Sequence, residues 1–95
     1  MMIVTLEEAK NWLRVDFSDD DALITTLINA AEEYLKNATG ITFDATNYLA
    51  KIFCMTLIAD WYENRELIGK ASDQVRPILQ SILAQLTYAY GGETA

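Results

Sequence analysis

The sequence predicts an all-α fold, a small bundle of four helices joined by short loops. Three observations predict it. Apolar residues recur at helical rather than strand spacing in three separate segments. Each segment begins or ends on a helix-terminating residue type. The glycines, Gly40, Gly69, Gly91 and Gly92, all fall at breaks between segments. The expected helices span about residues 5–14, 19–38, 45–67 and 73–89, within one domain over residues 1–90. Residues 91–95, "GGETA", are expected to be a flexible tail.

Thr5 opens the first helix. In "TLEE" its hydroxyl can accept from the amide of Glu8 while the Glu8 carboxylate reaches back, a capping box. Leu6, Ala9 and Leu13 then follow at helical spacing, with Trp12 beside them. "VDFSDDD" leads into the second helix. Ser18 is expected as its N-cap, and Asp19, Asp20 and Asp21 place negative charge at the positive end of the helix dipole. Leu23, Leu27, Ala30, Ala31, Tyr34 and Ala38 form its apolar face, widened by Ile24, Ile28 and Leu35. Gly40 follows where a C-terminal glycine is expected.

"ITFDAT" can hold a short extended piece, after which Asp44 or Thr46 opens the third helix. Residues 52–59, "IFCMTLIA", are apolar on nearly all sides. An eight-residue apolar run also suits a buried strand. Helix is preferred because polar residues flank the run without turn signals until Gly69. A helix apolar all round must be surrounded by partners. In a chain this small, other copies could supply part of that cover. The last helix carries Val75, Ile78, Leu79, Ile82, Leu83 and Leu86. Its start has two readings: Ser72 as N-cap with Pro77 in the fifth helical position, or Arg76 as N-cap with Pro77 first.

Composition excludes several functions. The 95 residues carry 14 acids against 7 bases, a net charge of −7. The bases are scattered from Lys10 to Arg76, whereas gripping a duplex requires them clustered. The single cysteine, Cys54, lies in the apolar run and reads as a small buried hydrophobe needing no oxidising compartment. The N-terminal residues lack the basic and apolar regions of a signal peptide. No apolar run reaches membrane-spanning length, so no membrane partner is expected. With no histidine, the commonest general base and metal ligand is missing. One cysteine builds no zinc site, and no glycine-rich phosphate loop is present. "SDDD" (18–21) lacks the alternating acids, mid-loop glycine and closing glutamate of a calcium loop, and reads as capping. Neither an enzyme nor a cofactor or metal is expected.

One cluster remains, "WYENRE" at 61–66: Trp61, Tyr62, Arg65 and Glu66. On the expected helix, Arg65 has Trp61 and Tyr62 behind it, Ile68 and Gly69 at the matching places ahead, and no acid at helical spacing. Its carboxylate partner must come from another helix or another subunit. Glu66 has Lys70 four residues on. Trp, Tyr and Arg are also the residues most enriched at interface hot spots. The cluster is therefore a candidate inter-helix or inter-subunit contact, with both readings open.

Three stretches, "VTLEEAKNWLRVD" (4–16), "DDDALITTLINAAEEYLKNATG" (19–40) and "ADWYENRE" (59–66), resemble the head–tail connector (adaptor) proteins of tailed bacteriophages and prophages, a family also labelled DNA-packaging proteins. The order of elements is similar over nearly the whole chain. The resemblance implies a non-catalytic virion protein, made in the bacterial host cytoplasm and located at the head–tail junction. It implies a ring of identical subunits under the portal protein. That ring would extend the DNA channel without sequence-specific binding and support a head-completion or tail protein. A small acidic regulatory or inhibitor protein that binds one host partner is the alternative expectation.

Overall fold

A computed structural model describes residues 3–44, 46–68, 70 and 72–88. Four α-helices account for most of them: α1 (Leu6–Leu13), α2 (Asp21–Thr39), α3 (Tyr48–Glu63) and α4 (Arg76–Leu86). One 3-10 turn, Arg65–Leu67, lies between α3 and α4. There is no strand among the described residues. The all-α, four-helix reading is thus the observed architecture, with several ends moved.

Local chemistry sets most of those ends. α1 starts on the capping box: Thr5 Oγ1 accepts from the Glu8 amide at 3.1 Å, and Glu8 Oε1 accepts from the Thr5 amide at 3.0 Å. It ends at Arg14, which takes the left-handed conformation (φ 60°, ψ 44°) and donates its amide to the Lys10 and Asn11 carbonyls. A Cβ, brought close to the following carbonyl oxygen, makes that conformation costly, by about 1–2 kcal/mol. α2 ends on Gly40 at φ 72°, whose amide donates to the Lys36 carbonyl at 2.6 Å. Without a Cβ, glycine adopts this angle freely.

Ser18 is not the N-cap of α2, which corrects the expectation above. Asp20 holds that position, and Ser18 instead closes the preceding turn by accepting the Asp21 amide on its carbonyl. The Asp20 side chain makes no cap bond, because its carboxylate is engaged by α3. α3 likewise starts later than expected. Asp44 Oδ1 accepts from Thr46, forming a turn, and Asn47 is the N-cap, accepting the Ala50 amide at 3.0 Å. Residues 41–44 form no regular element, although Phe43 is buried. In α4, Val75 is the N-cap and Pro77 the second helical residue, so neither expected cap of this helix holds. Ser72 accepts the Arg76 amide within a turn. At the second position Pro77 removes no intrahelical bond, because the first four helical amides have no partner in the helix. Residues 89–95, including the expected tail, lie outside the described residues.

α3 is the hub, in contact with α1, α2, α4 and the 3-10 turn. Ala50, Phe53, Cys54, Leu57, Ile58 and Trp61 are buried on it. They meet Ile24, Leu27, Ile28, Ala31 and Leu35 of α2, and Leu79, Ile82 and Leu86 of α4. Tyr34 fits its ring edge-on to Trp61 (6.1 Å between centroids) and tilted against Phe53 (6.0 Å). Such pairs add about 0.5–1.5 kcal/mol beyond area burial. The molecule measures 45 × 27 × 17 Å. Its shortest dimension is less than two helix diameters of about 10–12 Å. A layer this thin cannot enclose its central helix on every side. Tyr48 is 75% and Ile52 42% exposed on one open stripe of α3.

Candidate functional site

The "WYENRE" segment does not continue the helix. α3 stops at Glu63, four residues earlier than expected. The Asn64 amide makes the last helical bond, to the Asp60 carbonyl (2.9 Å), and the Asn64 side-chain Nδ2 donates to the same carbonyl (3.1 Å), capping it. Asn64 leaves helical geometry at φ −129°, ψ 73°, and Arg65 enters the 3-10 turn. The spacing from Glu66 to Lys70 therefore does not operate as a helical pair. Glu66 is exposed.

Two buried residues at the end of α3 then catch the returning chain. Asp60, only 8% exposed, accepts the Ser72 amide on Oδ2 at 3.1 Å. Trp61, fully buried, donates its indole N–H to the Lys70 carbonyl at 2.6 Å. Both partners are backbone groups of the segment entering α4, so the two side chains set where that helix starts. A buried carboxylate is tolerable because it accepts hydrogen bonds that otherwise would have no acceptor.

Tyr62 and Arg65 turn toward α2. The Tyr62 hydroxyl donates to Asp20 Oδ2 at 2.5 Å. That bond, together with burial and the Asp20 charge, pushes the Tyr62 phenol above its ordinary range, with Arg65 pulling the other way. The Arg65 guanidinium lies 5.7 Å from the centre of the Tyr62 ring, and its Nη2 is 3.9 Å from the same Asp20 oxygen. The carboxylate for Arg65 is thus on another helix of its own chain. Its side chain is 59% exposed, and solvent-screened pairs of this kind contribute little. Arg65→Ala is expected to change unfolding free energy by less than about 1 kcal/mol in a denaturant titration. A loss of several kcal/mol would overturn this assignment.

The cap residues have secondary ties. Glu8 also receives Lys51 Nζ at 2.7 Å, which fastens α1 to α3. The Lys51 hydrogen bond, then the Thr5 amide, holds the Glu8 carboxyl below the usual glutamate range. Asp21 pairs with Lys10 at 2.8 Å, fastening α2 to α1. Two anchors were not found by sequence reasoning. Glu32 of α2 accepts the amides of Ile3 (2.5 Å) and Val4 (3.2 Å), pinning the N-terminal segment. Its partners are backbone groups about thirty residues away, and no sequence pattern marks such a bond. Asp60 did carry a signal, as a lone acid between Ala59 and Trp61 at the edge of an apolar run.

None of this geometry arranges a nucleophile beside a base. Burial pushes the Cys54 thiol up to about 12, away from the reactive thiolate. No group of metal-ligating side chains comes together among the described residues. No described helix is long and apolar enough to cross a membrane. The polar cluster ties segments of one chain to each other around a central helix, which defines a structural module of small all-α type.

A family model, that of the phage gp6-like head-tail connector proteins, matches residues 3–90. The chain belongs to this family, which is structural and non-enzymatic. No curated protein and no solved structure matches the chain.

Proposed function

We propose that this chain is a connector subunit that assembles into a ring beneath the portal of a tailed phage. The ring extends the DNA channel and offers a platform to a head-completion or tail protein. It acts in the virion at the head–tail junction. Family membership supports the connector role. The observation that carries the ring is the apolar stripe on the central helix, exposed at Tyr48 and Ile52, which the described helices leave uncovered. A thin module with an unclosed core face completes its packing only against another protein surface. The net charge of −7 suits a channel through which DNA must slide without adhering.

Assembly is tested by light scattering of the purified subunit over a concentration range, alone and mixed with portal protein. A ring-sized mass appearing with the portal is the expected result. A species that stays monomeric or dimeric in both conditions, with no portal binding, would overturn the proposal.

A further inference from the structure

We infer that the subunits meet head to tail, the open stripe of α3 on one copy seating against the outer face of α4 on the next. The stripe consists of Tyr48, Ile52, Met55 and Ala59, all exposed or half-buried. It carries no charge over that length. The nearest cation, Lys51, is already paired with Glu8. The outer face of α4 is Pro77, Ser81 and Ala84, continuing into Tyr88, all of them exposed. It too is uncharged; indeed residues 77–88 contain no Asp, Glu, Lys or Arg. An exposed helix face ordinarily carries charged residues, and its absence here is conspicuous in so acidic a chain.

Charge selects the occupant. Two copies that each carry −7 repel at most orientations. They approach at least cost where both surfaces are neutral, and these are two such helix faces. A nucleic acid finds no cation on either face. A charged peptide would have its own charges desolvated there without partners.

Shape agrees with charge. Tyr48 to Ala59 and Pro77 to Tyr88 each advance eleven residues, about 16 Å at 1.5 Å per residue. Tyr48, Ile52 and Met55 make the α3 stripe bulky, whereas Ser81 and Ala84 are small residues between Pro77 and Tyr88. Bulky ridges fit against small residues at helix contacts. α4 packs on the core through Leu79, Ile82 and Leu86, so its exposed residues and the α3 stripe are two distinct surfaces of one copy. A contact between two unlike surfaces propagates from copy to copy, and it closes into a ring if the rotation per step allows.

The ring rests on the connector reading, but the contact itself can be tested separately. Cysteines are placed in the full chain as Ile52→Cys and Ser81→Cys, both at exposed positions. Cys54 is buried and remains unreactive. A short bismaleimide cross-linker is then applied to the concentrated protein, with and without portal protein. The double variant is expected to give a ladder of products beyond the dimer. An equimolar mixture of the two single variants is expected to stop at dimers, and each single variant alone to remain monomeric. A charge exchange tests the same contact: Ile52→Glu should abolish assembly, and adding Ser81→Lys should restore it. Dimers formed by Ile52→Cys alone would overturn the head-to-tail arrangement in favour of a two-fold contact. Absence of any cross-link while portal binding persists would overturn the contact and leave the connector reading intact. Loss of portal binding by the unmodified chain would instead remove the connector reading.

Discussion

Trp61→Ala lowers unfolding free energy by about 3–5 kcal/mol, the range for emptying a large aromatic site in a packed core. Trp61 is the largest fully buried side chain, and it contacts the Tyr34 ring while its N–H holds the Lys70 carbonyl. Total stability for 95 residues is about 5–14 kcal/mol, so the loss is a large fraction of it. Denaturant titration followed by circular dichroism reads the change directly. Trp61→Phe separates the two contributions. It keeps most of the apolar filling and loses the hydrogen bond, and about 1–3 kcal/mol is expected. If Trp61→Ala cost less than about 1 kcal/mol, the packing described for the end of α3 would be wrong.

The second large effect is at Asp60. Asp60→Ala removes the acceptor for the Ser72 amide at 3.1 Å and leaves that donor without a partner near the core. The expected cost is about 1–3 kcal/mol. Its distribution is more informative than its size. Hydrogen exchange should speed up first across residues 72–79, where the chain enters α4, while the amides of α2 keep their protection. Asp60→Asn retains one carbonyl acceptor and is expected to lose less. Equal acceleration in α2 and α4 would show that Asp60 supports the whole core rather than the junction. Arg65→Ala is the contrasting case, since its ion pair with Asp20 is long, exposed and screened.

How far each feature was legible follows the range of the interaction that creates it. The capping box of Thr5 and Glu8 and the left-handed Gly40 involve residues three or four apart, and both stand in the sequence as written. The buried face of α2 follows its apolar periodicity through Ile24, Leu27, Ile28, Ala31 and Leu35. Ser18 misled because serine is a good N-cap in isolation. The helix instead starts at Asp21, and Asp20 spends its carboxylate on Tyr62, 42 residues away. Arg65 was legible as a residue lacking a local acid, but the identity of its partner was not. Residues 64–67 had no glycine or proline to announce the end of α3.

The sequence by itself determined the number and type of the helices, the Thr5–Glu8 and Gly40 caps and the buried face of α2. These depend on residue identity and on spacings of a few positions, which any helix imposes. Only the tertiary structure decided where α3 ends, that Arg65 meets Asp20 within its own chain, and that Asp60 and Trp61 fasten the entry to α4. Those bonds join groups brought together by packing, and several have backbone atoms as partners, which carry no residue identity to read. The open stripe on α3 belongs to the same kind: a helix apolar all round signals burial, but which side the fold leaves uncovered depends on where the other helices pack.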